Sequence, residues 1–397
     1  MDPHPRPRSA LSGKSLREQI LLQPKGYIGS VEKRTRKFWL CEGIYDSFVT
    51  QREVTYVPGL LKIVDEVLIY AADNKQRDHA MDTIRVDVNV AKCRISVYNN
   101  GKCIPIEVHP EEGVYVLEMI FGHLSGKCDR DVEDDEMARR RSGYGVKLAN
   151  IFSTEFIVET ADGPGQKKYK QVFSENMGKK SEPEITGYRK GVNWSWTMVT
   201  FKPDLAKFNM TCLDDDIIAL MRKRLFDMAG ILGVTVQVVF NGENNLFRGF
   251  TDFVCWHTTK PLPTKELPWF CEKVNDQWEV GVSVSEGKFQ QVSFVNKVAT
   301  ISGGTHVDYV SNLIVAHAVS FMKNEFQWAN IKDHDLKRHL MVFINLHMEN
   351  PTFCSLTKEA LTTPQEDFGP ELKFSDRFLG NATGFLMNAW DLAKRRW

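Results

Sequence analysis

The stretch DEVLIYAADN, residues 65–74, places acidic side chains inside a run of leucine, isoleucine and valine residues. If this segment is helical, Glu66, Tyr70 and Asp73 share one stripe of its surface, because they are four and three residues apart. A carboxylate beside a buried apolar face suits a general base near neutral pH. The bland alternative is a salt bridge from Glu66 to Lys62 on the solvent face, and the helix alone favours that alternative.

Two further segments carry polar groups that suit ligand binding. NNGKCIP, residues 99–105, follows a predicted strand, and an asparagine there can hydrogen-bond a base edge, although the same letters make an ordinary Asn-Gly turn. RRRSGYGVK, residues 139–147, places two glycines before a helix start, with Lys147 in the first turn. Backbone amides in such a segment can cradle phosphate, but it matches neither a Walker A loop nor a dinucleotide-binding GxGxxG motif.

Hydrophobic periodicity predicts the elements that position these residues. A helix over residues 58–76 is indicated by Pro58-Gly59 at its start and by apolar residues at helical spacing, namely Leu60, Val64, Val67, Leu68 and Ala71. A hairpin follows over residues 84–97, and a second strand pair is expected around Asn241-Gly242. Helices and strands alternate without a regular βαβ rhythm, which favours an α+β fold.

Composition describes an ordinary globular chain of 397 residues, long enough for two or three domains. Lys+Arg and Asp+Glu both number 51, so net charge argues neither for nor against a nucleic-acid partner. The eight cysteines form no CxxC pair, which favours free thiols in a reducing compartment. We interpret Cys255 and His257 as structural. No apolar run is long enough to span a bilayer, so we expect a soluble intracellular protein without a membrane partner.

Taken together, the motifs are far more specific than any one of them is alone. In chain order, DEVLIYAADNKQRD, NNGKCIP, EMIFGHL, SGYGVKLANIFST, QVSFVNKVATISGGTHVDYV and NPTFCSLTKEALT resemble the ATPase region of eukaryotic DNA topoisomerase II, especially its plant members. The resemblance runs from about Gln23 to about Phe378. It implies a GHKL-type ATPase α/β sandwich over residues 15–250 and a smaller α/β transducer domain over residues 251–397. We expect residues 1–14, basic and proline-rich, to form a disordered tail.

The resemblance also implies roles for single residues. Glu66 matches the general base that activates water for attack on the γ-phosphate of ATP, and Lys358 matches the lysine that reaches this phosphate. Asn99 matches the residue that hydrogen-bonds adenine. The full set of positions that match ATP-binding residues of the family is Tyr70, Asn99, Lys127, Cys128, Asp129, Arg140, Arg141, Ser142, Gly143, Tyr144, Gly145, Val146, Lys147, Leu356, Thr357 and Lys358.

Several of these positions depart from the family pattern. Tyr70 stands where the family has the asparagine that binds Mg²⁺, and a neutral, bulky phenol is a poor ligand for that ion. Cys103 replaces a glycine of NNGKGIP, and Leu356 replaces the glutamine of a QTK loop. Arg139 and Arg140 replace glycines, Ser142 replaces an asparagine, and Lys127-Cys128-Asp129 replaces a Ser-Ser-Asn stretch. The substitutions gather on nucleotide-contacting positions.

Two hypotheses follow. In the first, the chain is the ATP-driven clamp of a type II topoisomerase with impaired hydrolysis, acting in the nucleus as a dimer around DNA. In the second, it is a non-catalytic nucleotide-binding or dimerisation module that regulates a full-length topoisomerase II. The family continues into a metal-binding TOPRIM domain and a DNA-cleaving tyrosine, so we expect no DNA cleavage from these 397 residues alone. The basic clusters at residues 33–37 and 138–142 could touch phosphate, although such runs are usually solvated surface.

Overall fold

The computed structural model describes residues 14–42, 48–124, 144–188, 194–244, 249–259, 266–326 and 331–394 of the chain. They belong to two compact units, which interleave along the sequence. The first unit comprises the described residues up to Arg36, Glu53–Met221 and Gln237–Asn244, and the second comprises Lys37–Arg52, Arg222–Val236 and the described residues after Asn244. The assignment of residues 15–250 and 251–397 to two domains therefore stays a prediction. Residues 1–13 of the predicted tail lie outside the described residues.

The first unit contains a nine-stranded sheet. A separate sheet, whose residues are divided between the two units, pairs strand β1 (Arg34–Glu42) with β2 (Phe48–Tyr56). The strands of the large sheet are β3 (Thr83–Asn89), β4 (Arg94–Asn100), β5 (Ser153–Asp162), β6 (Lys167–Ser174), β7 (Lys179–Lys180), β8 (Glu184–Gly187), β9 (Trp196–Pro203), β10 (Gln237–Phe240) and β11 (Glu243–Asn244). They lie in the order β11-β10-β3-β4-β9-β5-β6-β7, and β8 also pairs with β6.

The predicted hairpin is confirmed as strands β3 and β4, which pair in antiparallel register. Their apolar residues alternate with exposed or half-buried polar ones, so one face of the hairpin joins the core. The second predicted turn is also present, because Asn241 and Gly242 both have positive φ angles, of 49° and 82°, between β10 and β11. Two consecutive positive φ angles are typical of a two-residue hairpin turn.

Four helices accompany this sheet in the described part of the first unit: α1 (Leu16–Leu22), α2 (Pro58–Arg77), α3 (Val116–Phe121) and α4 (Gly145–Ile151). Helix α2 begins at Pro58, whose missing N–H costs nothing in the first turn. Its predicted apolar stripe is buried and packs against α4 and β4. Burial of each large side chain on such a stripe contributes roughly 1.5–3 kcal/mol relative to exposure. The core thus fixes the face of α2 that Glu66 and Tyr70 flank.

The second unit is built on a five-stranded sheet in the order β12-β13-β17-β14-β15. Its strands are β12 (Trp269–Lys273), β13 (Trp278–Val284), β14 (Gln290–Val295), β15 (Val298–Ala299) and β17 (Leu340–Leu346), and a short parallel pair joins β16 (Gly303–Gly304) to β18 (Ala360–Leu361). Helix α5 (Asp215–Ile231) begins in the first unit and ends in the second, and the second unit also contains α6 (Phe250–Thr258), α7 (Thr305–Phe326), α8 (Asp333–Lys337) and α9 (Asp376–Lys394). Trp278 is fully buried in the core between this sheet and helices α7 and α9.

Helix α6 carries Cys255 and His257, and His257 packs among aromatic rings. Its Nδ1 atom lies 2.8 Å from the Phe253 carbonyl oxygen, and its ring centroid lies 4.3 Å from that of Phe253. Burial lowers the pKa of His257 to about 4. In the described part of the chain, no cluster of three or more His, Cys, Asp or Glu side chains is arranged to hold a metal ion. Likewise, none of the helices described is both long and apolar enough for a membrane crossing.

Candidate functional site

Lys62 and Glu66 form a salt bridge within α2, between the lysine Nζ and the glutamate Oε1 atoms. The two side chains are only 5% and 13% exposed, so the pair is largely withdrawn from solvent. The alternative that placed this pair on the solvent face is therefore wrong about its environment, although the pairing itself is present. The physical reason is that Lys62 lies among the core residues of α2, where its ammonium needs an anionic partner. The pair fixes the direction of the Glu66 carboxylate.

The second carboxylate oxygen of Glu66 faces the start of helix α4. A β-carbon built on Gly145 would lie 3.0 Å from the Glu66 Oε2 atom, which is closer than ordinary van der Waals contact. Gly145 is the first residue of α4, and its role here is to leave room for the carboxylate rather than to provide unusual backbone angles. The glycine of the GYGVK segment and the acidic residue of α2 are thus brought together, as the family resemblance implies.

Tyr70 lies one turn after Glu66, and its side chain is packed rather than open to solvent. Its ring meets that of Phe121 nearly edge-on, with centroids 5.1 Å apart and planes at 69°. The Arg77 guanidinium carbon lies 5.5 Å from the Tyr70 ring centroid. Burial raises the pKa of Tyr70 to about 12, and this effect outweighs the opposing effect of Arg77. The phenol therefore stays protonated at physiological pH.

These surroundings do not fit a magnesium ion at Tyr70. Mg²⁺ requires compact oxygen ligands, usually carboxylates, carbonyls, water or phosphate, in near-octahedral geometry. A protonated phenol that faces a phenyl ring and a guanidinium group offers neither the charge nor the space for this ion. Tyr70 is therefore unsuited to hold this ion.

The NNGK turn is held by the end of helix α2. The Asn74 Nδ2 atom donates to the Asn100 carbonyl oxygen over 3.2 Å, and the Lys102 backbone N–H donates to Asp78 Oδ2 over 2.7 Å. Gly101 has a φ of +98°, and a β-carbon there would lie 3.2 Å from Asn74 Nδ2. This close approach in the left-handed region is the reason for a glycine at this position.

Asn99 lies on β4 directly before this turn. Its side chain is 3% exposed, and its Nδ2 atom donates to the Asn100 carbonyl oxygen over 3.0 Å. Because Asn74 binds the same carbonyl, Asn99 is tied to α2 through a shared acceptor. The expected adenine-binding residue is thus a buried amide at the edge of the α2 helix end, with its orientation set by one backbone contact.

Cys103 follows the turn and is half-buried. Burial raises the pKa of its thiol to about 11, and the Asp162 carboxylate beside it acts in the same direction. Ser195 and Asp162 both lie near the thiol. The substitution of the family's glycine therefore adds a protonated thiol beside β5, which contains Asp162.

Three more of the expected ATP-binding residues lie at the start of α4. Tyr144 precedes the helix, with its ring centroid 6.4 Å from that of Tyr27, and Val146 is buried. Lys147 is half-buried, and burial lowers the pKa of its ammonium group. Seven other expected positions lie outside the described residues, namely Lys127, Cys128, Asp129, Arg140, Arg141, Ser142 and Gly143.

Leu356, Thr357 and Lys358 form a loop of the second unit. The Thr357 Oγ1 atom lies 2.9 Å from Ser355 Oγ and donates to Glu359 Oε1 over 3.2 Å. Lys358 has a φ of +58°, and its backbone N–H donates to the Ser355 carbonyl oxygen over 3.0 Å. All three predicted residues are half-buried.

Comparisons with known proteins agree with this geometry. The family model described as DNA gyrase B matches residues 249–379. DNA topoisomerase 2 of Arabidopsis thaliana is 55% identical over 369 residues, which is 92% of this chain and 25% of that protein. The crystal structure of the ATPase region of Saccharomyces cerevisiae topoisomerase II is 41% identical with a TM-score of 0.84, and the match covers 96% of this chain and 98% of that one. The chain belongs to the ATPase regions of topoisomerase II.

A further solved relative in this family extends the match. The ATPase and transducer domains of DNA topoisomerase II from Balamuthia mandrillaris are 36% identical, with a TM-score of 0.85 and 99% of both chains covered. The predicted α+β fold and the resemblance to the topoisomerase II ATPase region are thereby confirmed. The chain spans about a quarter of the length of the curated topoisomerases that it matches.

The motifs identify Glu66, Tyr70 and Asn99, but they do not identify the residues that contact these side chains in the folded chain. The sequence pattern indicates Lys62 only as a surface partner, and it gives no sign that Phe121 lies beside Tyr70. Asn74 and Asp78 were part of the DNKQRD letters, yet their contacts with the NNGK turn span 26 and 24 residues of chain. The available signal in the sequence was Gly101 in a predicted turn, together with Asn74 and Asp78, which lie four residues apart near the end of the predicted helix.

Proposed function

We propose that this chain binds ATP as the N-terminal gate of a type II topoisomerase, and that it hydrolyses ATP slowly. The observation that carries the proposal is the packing of Tyr70 against Phe121 and Arg77, one turn after a retained Glu66. Metal ions in phosphoryl transfer neutralise charge that develops on the phosphate oxygens. Replacing an amide ligand by a half-buried, protonated phenol therefore affects the transition state more than the fold.

In this proposal Glu66 is the general base, Asn99 binds adenine, and Lys358 contacts the γ-phosphate. The Lys62–Glu66 salt bridge and the fit between Glu66 and Gly145 support the role of Glu66, because both hold the carboxylate in one direction. A general base must be aimed at the attacking water before its proton affinity matters. Lys147 and the segment before it are proposed to surround the phosphates.

The proposed partners are DNA and a second subunit. Two copies of the chain, or one copy and a full-length topoisomerase II, would close around a DNA segment in the nucleus when ATP binds. The relatives are named DNA topoisomerases, which supports DNA as the partner. Lys33, Arg34 and Lys37 are exposed on or beside β1 and offer cations for phosphate contacts.

A second candidate function is a non-catalytic module that binds nucleotide or dimerises, and so regulates a full-length topoisomerase. Cys103 favours it, because its half-buried thiol occupies space that a glycine would leave open. Leu356 favours it as well, since an aliphatic side chain cannot hydrogen-bond a phosphate. The two candidates differ in whether the chain turns over ATP at all.

The deciding experiment compares ATP binding and hydrolysis by the wild type and two Tyr70 variants. We expect Tyr70→Asn to raise magnesium-dependent hydrolysis at least tenfold, because an amide oxygen replaces the phenol. The matched control Tyr70→Phe removes only the hydroxyl and should leave hydrolysis at the wild-type level. Wild-type turnover equal to that of Tyr70→Asn would refute the impaired site. Absence of ATP binding in an equilibrium titration, with and without Mg²⁺, would refute nucleotide binding in both candidate functions.

A further inference from the structure

Phe353 is held firmly at the base of the loop that carries Lys358. Its backbone forms an isolated antiparallel bridge with Leu361, the last residue of β18. Its side chain is partly buried against the core of the second unit, which includes Leu361 at 1% exposure. Because both the backbone and the ring have fixed neighbours, the Phe353 ring is a rigid surface beside the loop.

The ends of this loop are also fixed. The Cys354 N–H donates to the Ala360 carbonyl oxygen over 3.0 Å, and the Ser302 N–H donates to the Glu359 carbonyl oxygen over 2.8 Å. Gly304 pairs with Leu361 so closely that a β-carbon on the glycine would collide with the Leu361 backbone. These contacts fix both ends of the segment between Cys354 and Glu359.

Lys358 is the strained member of that short segment. Its φ of +58° lies in the left-handed region, which is uncommon for a residue with a side chain. Backbone strain of this kind persists when neighbouring contacts hold it, and it is frequent at residues that change conformation. One contact is the hydrogen bond from the Lys358 N–H to Ser355, and another is made by the side chain. The Lys358 Nζ atom lies 5.8 Å from the Phe353 ring centroid, within the range of a cation–π interaction.

We propose that Phe353 is a positioning residue that holds the Lys358 ammonium in a nucleotide-free resting position. The inference rests on the proposed function, in which Lys358 contacts the γ-phosphate. When a triphosphate binds, the ammonium leaves the aromatic face and contacts the γ-phosphate. The cation–π contact therefore opposes the binding of ATP but not of ADP, which has no γ-phosphate. Phe353 thereby sets how strongly the chain distinguishes ATP from ADP.

The test compares the affinities of the wild type and Phe353→Leu for β,γ-imido-ATP and for ADP. We expect the leucine variant to raise the ratio of triphosphate to diphosphate affinity by about two- to fivefold, the size of an exposed cation–π contact. Phe353→Tyr keeps the ring face and should keep the wild-type ratio. In a Lys358→Met background, which has no ammonium, the change from Phe353 to leucine should leave the ratio unaltered.

A second measurement detects the contact without nucleotide. The lysines are labelled with ¹³C-methyl groups by reductive methylation, and the Lys358 signal is assigned from the Lys358→Met variant. We expect this signal to carry a ring-current shift in the wild type and in Phe353→Tyr, and to lose it in Phe353→Leu. Thermal unfolding of Phe353→Leu shows whether the second unit stays folded.

The outcomes separate this inference from the proposed function. Nucleotide binding with an affinity ratio that does not rise in Phe353→Leu, or that rises equally in the Lys358→Met background, would overturn the role of Phe353 and leave the proposed function intact. Lack of binding of either nucleotide to the wild type would remove the proposed function and the competition with it, even where the ring-current shift identifies a structural contact.

Discussion

Gly145 stands so close to Glu66 that a β-carbon on the glycine would lie 3.0 Å from the carboxylate Oε2 atom. The two residues come from different helices, α4 and α2, and strands β3 and β4 and helix α3 lie between them in the sequence. The other oxygen of the same carboxylate is bound by Lys62. Glu66 is therefore confined on two sides, and a change on either side should affect its chemistry.

Gly145→Ala should displace the Glu66 carboxylate by a few tenths of an ångström, since the added methyl group meets Oε2. Because catalysis depends steeply on the position of a general base, we expect about a tenfold loss of ATP hydrolysis. The measurement is best made in the Tyr70→Asn background, where turnover is expected to be higher.

Gly380→Ala is the matched control, because nothing lies within 4 Å of a β-carbon there. It should raise the free energy of unfolding by roughly 0.5–1 kcal/mol and leave hydrolysis unchanged.

Lys62→Met should destabilise the protein by about 2–4 kcal/mol, because it leaves the Glu66 carboxylate largely enclosed without its cation. Urea unfolding measures this loss. In the double variant with Glu66→Gln the loss should be smaller than the sum of the two single losses, by at least about 1 kcal/mol. Strictly additive losses would mean that the two side chains do not interact in solution.

The face of α2 on which both of these predictions depend could be predicted from the sequence alone. The spacing of apolar residues in α2 was sufficient to identify its buried face, and alternation was sufficient for the β3–β4 hairpin. Such patterns are local, since each residue is buried with neighbours a few positions away. The same local stripe places Glu66 beside a buried face, but its role as a general base follows only from the resemblance of the combined motifs to the family.

The remaining features depend on contacts between distant parts of the chain. No local pattern predicts that β10 joins the large sheet in parallel with β3, more than a hundred residues earlier. Nor does a local pattern predict that the segments 37–52 and 222–236 group with the C-terminal unit. The packing of Tyr70 against Phe121 is of this kind, and it decides whether the position suits a metal.

Acidification should destabilise the protein through His306. This side chain is fully buried on α7, with Nε2 3.1 Å from Thr300 Oγ1, and burial lowers its pKa to about 3. Since an unfolded histidine titrates near 6.5, the unfolded state binds an extra proton between about pH 6.5 and 3. The free energy of unfolding therefore has its full value above about pH 6.5, the pKa of a histidine in the unfolded chain. It falls as the pH is lowered through that value, by about 2 kcal/mol for one buried histidine at pH 5.

Urea unfolding of the wild type and of His306→Asn at pH 7 and pH 5 measures this contribution. The variant removes the titrating group and keeps an amide near Thr300, so its loss of stability between the two pH values should be about 2 kcal/mol smaller than that of the wild type. His334→Asn is the matched control, because that side chain is 74% exposed and should leave the difference unchanged. Equal pH dependence in the wild type and His306→Asn would contradict the buried, uncharged state of His306.

Asp78 should be required for the shape of the NNGK turn, because its carboxylate accepts from the Lys102 N–H over 2.7 Å and from the Ala80 N–H over 2.9 Å. We expect Asp78→Ala to lower the free energy of unfolding by about 1–3 kcal/mol, since both amides lose a charged acceptor. It should also weaken nucleotide binding, because the turn sets the position of Asn99. Asp78→Asn retains one acceptor oxygen and should have an intermediate effect.

Asp87→Ala is the control, since that exposed side chain pairs only with Arg85 among the ion pairs described for β3. Equal losses of stability and affinity in Asp78→Ala and Asp87→Ala would show that the turn holds its shape without Asp78.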